Sequence, residues 1–227
     1  MRAASGKARV ISVSAAVFVV IPNLPIIAEL RLELMAVFLL THPSEARIAR
    51  FLQAARAGSF SYSQVGMTKE GAAPAGFDCD HNRFRLGSGA SVYERAIRAV
   101  RRWQMFAIPG AQLCWPSATI EAGTTVAIAF HHFAFWSLNA ARIVYTLDEQ
   151  GEVHRFGFAY GTLADHAECG EERFLVEWDR SDDSVYYDLF AFSHPQHPLV
   201  TMTKPLARRL QKNFVRQSQQ AMLRAVV

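Results

Sequence analysis

The stretch ARIVYTLDEQGEVHRFGFAYGTLADHAECGEERFLVEWDRSDDSVYYDLFAFS, Ala141–Ser193, decides the fold. It divides into apolar-rich segments rich in β-branched and aromatic residues: Ala141 to Asp148, Val153 to Gly161, Glu172 to Asp179 and Ser184 to Ser193. Two polar connections, Asp148-Glu149-Gln150-Gly151 and Arg180-Ser181-Asp182-Asp183, are short enough only for antiparallel hairpins. No helix-length segment separates the strands, so parallel crossovers are excluded.

Working outward, two more strand candidates precede the stretch, Leu113 to Ile120 and Thr124 to Phe133. Further upstream, Asn82 to Leu86 and Tyr62 to Thr68 also have the composition of short strands. Pro43 to Ala57 reads as a helix, with Ile48, Phe51, Leu52 and Ala55 on an apolar stripe and Gly58 as its stop. A second helix opens at Ser91, where Ser91 and Glu94 have capping-box spacing, and runs to about Trp103. A third, from Pro205 to Arg224, carries Leu206, Leu210, Phe214 and Ala221 on one side and Arg208, Lys212 and Arg216 on another. Its apolar side needs a cover, and the sheet is the only large partner available.

The expected fold is therefore α+β: a curved antiparallel sheet of six to seven strands gripping a long carboxy-terminal helix, with an additional helix before it. That order of elements is similar to the helix-grip arrangement of the START and pollen-allergen proteins.

Composition suits a packed core, with 51% hydrophobic and 19% charged residues. Cys79, Cys114 and Cys169 are too scattered for a disulfide framework or a zinc site, which fits reduced thiols in a cytoplasmic compartment. Charge is segregated. Residues 107–192 hold 4 Lys/Arg against 13 Asp/Glu, whereas residues 193–227 hold 6 against none. Such a pattern fits basic helices packed beside an acidic sheet, or weak contact with anionic lipid or RNA. Oligomeric state is not readable.

The first 34 residues stand apart. Arg2, Lys7 and Arg9 precede an apolar run, Val10 to Ile21, that Pro22 and Pro25 interrupt. The run is too short to span a bilayer. Residues 1–34 are expected to be a leader, a signal or anchor segment, or an upstream extension of a domain that starts at Met35.

FGFAYGTLADHAECGEERF, Phe156–Phe174, resembles the hallmark of an uncharacterised family of bacterial and plant proteins, the domain of unknown function nineteen-ninety. YSQVGMT at Tyr62, RFRLGSG at Arg83, AFSHP at Ala191 and PLARRLQ at Pro205 agree with it, so the resemblance covers nearly the whole domain. His194 departs from it where the family favours Arg. The resemblance implies no activity.

Within that segment His166, Glu168, Glu171, Glu172 and Arg173 fall in eight residues. His166 with Glu171 or Glu172 could form an acid/base site. The alternative is a strand connection whose charges hydrogen-bond backbone, with Gly157, Gly161 and Gly170 marking bulges or close backbone approach. His131 and His132 alternate across a strand and cannot share a metal. His194 and His197 flank a proline turn, and spacing implies no third ligand. No nucleophile elbow, Walker loop or G-x-G-x-x-G is present, so neither cofactor nor metal is expected.

The leading expectation is a binding module for a small apolar or amphipathic molecule, held in a cavity between the sheet and the last helix. Tyr145, Phe158, Tyr160, Leu206, Leu210 and Phe214 are the expected lining.

Overall fold

The apolar runs around Val153 need burial on both faces, and they obtain it at the centre of one antiparallel sheet. A computed structural model describes residues 38–133, 135–164, 166–196 and 204–227. The leader expected over residues 1–34, and His197, lie outside the described residues. The strands are β1 (Phe38–Leu39), β2 (Asp78–Ser88), β3 (Ala111–Leu113), β4 (Thr125–His132), β5 (Phe135–Glu149), β6 (Val153–Thr162), β7 (Glu168–Asp179) and β8 (Ser184–Pro195). Their order is β2-β8-β7-β6-β5-β4-β3, with β1 added against β5. All pairings are antiparallel.

The sheet is curved. Glycine permits this at particular points. A Cβ on Gly157 would lie 2.1 Å from the Phe174 carbonyl oxygen, and one on Gly170 would lie 2.0 Å from that of Phe192. Neighbouring backbones come too close there for any side chain.

Helices α1 (Glu45–Ala57), α2 (Ala90–Arg101) and α3 (Lys204–Val226) cover the two faces. On the convex face α1 sets Ile48, Leu52 and Ala55 against Leu138 and against Ala127, Ala129 and Ala140, three small side chains that admit the helix closely. The concave face carries the larger core. There Val126, Ile128, Ile143, Phe156, Phe158, Tyr160, Phe174, Val176 and Tyr187 meet α2, α3 and a 3-10 turn at Gln104–Phe106. The arrangement is a helix-grip fold, as the element order implies.

Several local expectations are corrected. Ser44, not Pro43, starts α1, accepting from the Arg47 N–H at 3.3 Å. No capping box forms at Ser91: Gly89 is the N-cap, and the Ser91 hydroxyl instead accepts from Arg95 Nη1 at 2.7 Å. Strand Leu113 to Ile120 ends at Leu113, because the chain turns at Trp115–Ala118 around a proline that has no N–H to donate. Tyr62 to Thr68 is not a strand. Gly66 turns the chain at φ 92°, and a 3-10 turn follows over Met67–Glu70.

Candidate functional site

One row of residues crosses the concave face at its more polar end. Register places Ile143 beside Tyr160, Tyr160 beside Glu172, Glu172 beside Ala191 and Ala191 beside Asp80. The Tyr160 hydroxyl donates to Glu172 Oε2 at 2.8 Å. Glu168, two pleats along β7, accepts from Gln211 Nε2 at 2.7 and 2.6 Å. Gln211 also reaches Ser193 Oγ at 3.3 Å, and Arg208 Nη2 donates to Asp80 Oδ1 at 2.8 Å. The amino-terminal half of α3 is thus fastened to the sheet by polar side chains.

Its carboxy-terminal half is fastened by apolar ones. Residues four apart along α3 form a single row: Leu206, Leu210, Phe214, Ser218, Met222 and Val226. Burial rises along it. Leu206 is 41% exposed, Leu210 and Phe214 are half-buried, and Ser218, Met222 and Val226 are buried. Ser218 stays satisfied by the Tyr187 hydroxyl at 2.9 Å. Leu206 is therefore not held against the sheet as the amphipathic pattern suggests; it projects beyond the polar fastenings.

Electrostatics single out Glu172. It is half-buried, yet burial pushes its carboxyl up to about 7, with Glu168 and Asp80 adding to the rise and the Tyr160 hydrogen bond opposing it. Burial raises Glu168 too, against the pull of Gln211, Ser193 and Arg208. A carboxyl that keeps some contact with solvent and is still strongly desolvated is surrounded mainly by protein. Apolar walls are close by: Phe214 lies 5.5 Å from Phe106 and 6.2 Å from Phe130, and Phe106 stacks on Tyr160 at 6.2 Å, all between ring centroids.

The other expected site residues are distributed differently. Phe158 is fully buried in the concave core, with the Trp103 ring 4.9 Å from its own between centroids. Tyr145 leaves the wall entirely. A bulge between Ile143 and Tyr145 resets the alternation, so its hydroxyl meets Thr68 Oγ1 at 2.8 Å on the convex face. Glu171 is also convex, since successive strand side chains point to opposite faces. It is buried and accepts from the Tyr62 hydroxyl at 2.7 Å, the Gly66 N–H at 2.7 Å, the Thr68 N–H at 3.0 Å and the Thr68 hydroxyl. Glu171 thereby pins residues 62–68 to the sheet. Burial lowers His166 to about 4, and its Nδ1 accepts the Glu168 N–H at 3.0 Å, which keeps the ring neutral. Among the described hydrogen bonds none joins His166 to Glu171 or Glu172.

Asp80 and Gln211 gave no signal in the sequence. Glu168 and Arg208 stood out only as members of a charge cluster and a basic stripe. Among the described residues no group of three His, Cys, Asp or Glu side chains is placed to hold a metal ion. No helix among them is long and apolar enough to cross a membrane.

The family model described as domain of unknown function (DUF1990) matches residues 61–221. The chain belongs to the DUF1990 family. A UPF0548 protein of Dictyostelium discoideum is 34% identical over 207 residues, spanning 83% of this chain and 95% of the relative. One from Deinococcus radiodurans is 34% identical over 200 residues, spanning 83% and 98%. Neither DUF1990 nor the UPF0548 relatives carry a stated activity. Solved structures resembling this DUF1990 chain include Ara h 8.0201, at 14% identity and TM-score 0.41 over 66% of this chain and 95% of that one. Human STARD10 is similar at 10% identity and TM-score 0.40, with 82% of each chain covered. Identity at that level says nothing about ligand or reaction.

Proposed function

We propose that this chain is a binding module for a small amphipathic molecule, seated on the concave face beneath the amino-terminal half of α3. The molecule's polar end meets Glu172, Tyr160 and Glu168, and its apolar part meets Phe130, Leu210 and Phe214. Glu172 carries the reading. A half-buried carboxyl raised to about 7 is costly to ionise where it stands, and a hydrogen-bond donor or cation on a ligand would offset that cost. Leu206 and Leu210 supply an apolar rim at the same end of the helix.

Several cations of the basic helices are already engaged, which favours no more than weak contact with anionic lipid or RNA. Arg208 is paired with Asp80, Arg101 lies over the Phe156 ring at 4.6 Å, and Arg98 faces Glu94 at 3.9 Å.

Native mass spectrometry of the freshly purified full chain tests the proposal. A co-purifying small molecule is expected, and Glu172→Gln should carry less of it, since a neutral amide cannot compensate a cationic head. Retention by Glu172→Gln equal to the wild type, or no bound mass from any expression host, would count against a ligand at this place.

A further inference from the structure

A second recess lies on the opposite face of the sheet. Thr125 and Arg142 are paired across β4 and β5, and alternate with Val126 and Ala141, whose side chains join the concave core. Around that convex pair a cavity of about 670 Å³ opens between the end of α1 and the loops flanking β4, within the size range of small-molecule sites. Leu52 contributes its apolar side chain, and Ser117, Thr119, Thr124 and Thr125 bring hydroxyls. Trp115, 49% exposed, and the residues Arg56 and Arg142 also line it.

Charge is the unusual feature. Residues 107–192, which supply most of this wall, hold 13 Asp/Glu against 4 Lys/Arg, yet the described lining contains two arginines and no carboxylate. The walls are also fixed in advance. Arg142 donates from Nε to Thr125 Oγ1 at 3.1 Å, and from Nη2 to the Ala55 and Arg56 carbonyls at 3.0 and 3.1 Å. The Trp115 turn is closed by the Ala118 N–H on the Trp115 carbonyl at 3.0 Å. It is tied to the core by Trp103 Nε1 on the Ala118 carbonyl at 2.9 Å. On the other side Gly123 and Thr124 exchange backbone hydrogen bonds with Ile143 at 2.8 and 2.9 Å. A site whose groups are already held loses little freedom on binding.

We propose that this recess is a binding site for a small aromatic anion. A planar ring would stack on the exposed indole of Trp115, while its carboxylate or phosphate meets the guanidinium groups of Arg56 and Arg142 and the neighbouring hydroxyls. Neutral and cationic rings gain the stacking without the charge-assisted hydrogen bonds.

Calorimetric titration of the full chain decides the point. The probes are 1-naphthoate and 1-naphthyl phosphate, with neutral 1-naphthylmethanol and cationic 1-naphthylmethylamine as controls. One or both anions should bind, with a preference over the controls of about tenfold, and their ranking reports which head group fits. Salt should weaken the binding. Both Trp115→Ala and Arg56→Gln change exposed side chains, so each should keep the wild-type melting temperature while weakening the anion by about tenfold. Glu172→Gln should leave it unchanged, because that carboxyl lies on the other face. The proposal is overturned if neither anion binds up to about 10 mM. It is equally overturned if the neutral probe binds as tightly as the anions, or if Trp115→Ala and Arg56→Gln bind like the wild type.

Discussion

Glu171 and Glu172 are chemically identical neighbours on β7, and the sheet separates them into opposite roles. Glu171 faces the convex side, is buried, and is surrounded by four donors from one segment, residues 62–68. Glu172 faces the concave side, is half-buried, has one described donor, Tyr160, and is pushed toward neutrality. A carboxylate saturated by donors holds structure together. One that is desolvated without being saturated keeps capacity for something else, and is the better candidate for recognition.

The largest effect should come from removing the saturated member. Glu171→Ala leaves the Gly66 and Thr68 N–H groups and the Tyr62 hydroxyl without their acceptor, so a loss of about 3–4 kcal/mol in urea unfolding is expected. A loss within experimental error would mean that residues 62–68 are not held by this carboxylate. Next comes Gly161→Ala on the same face. Its Cβ would fall 2.1 Å from the Tyr62 hydroxyl, which is itself fixed on Glu171, and about 1–3 kcal/mol should be lost. Unchanged stability would show that Tyr62 moves aside freely.

Glu172→Gln should behave differently from both. The folded carboxyl titrates near 7 against an ordinary 4.5, so the folded chain binds the proton more tightly than the unfolded one. The wild type should then lose stability as pH rises from about 4.5 through 7, whereas the glutamine variant lacks that loss. At pH 8 the variant should be the more stable by on the order of 1–2 kcal/mol, and at pH 4 the two should match. A variant less stable than the wild type at pH 8 would show that the carboxylate is favourably paired instead. The smallest effect belongs to Leu206→Ala, expected to cost less than about 0.5 kcal/mol because the side chain is largely outside the core.

The same contrast marks what the sequence discloses. Strands β5 to β8 were legible because their apolar runs are broken by polar turns, and the row of α3 was legible because four-residue spacing survives in any helix. How far that row is buried was not. Leu206 and Met222 have equal claims on a helical wheel, and only the extent of the sheet beneath them separates the two. Tyr145 was misplaced by one bulge, which no local residue announces, and every side chain beyond it reverses its face. YSQVGMT mimics a strand in composition, but Gly66 and the donors collected by Glu171 turn it into a loop with a 3-10 end. The polar fastening of α3 depends on Asp80, which is brought to Arg208 by tertiary pairing across 128 positions.

The central claim is that Glu172 lies in a desolvated recess open to a ligand. Carboxyl-detected NMR titration of the full chain, with Glu172→Gln to assign the signal, tests it most directly. The account predicts a Glu172 midpoint of about 7. A midpoint near the ordinary 4.5 would contradict it, since the carboxyl would then be solvated or paired like any surface glutamate.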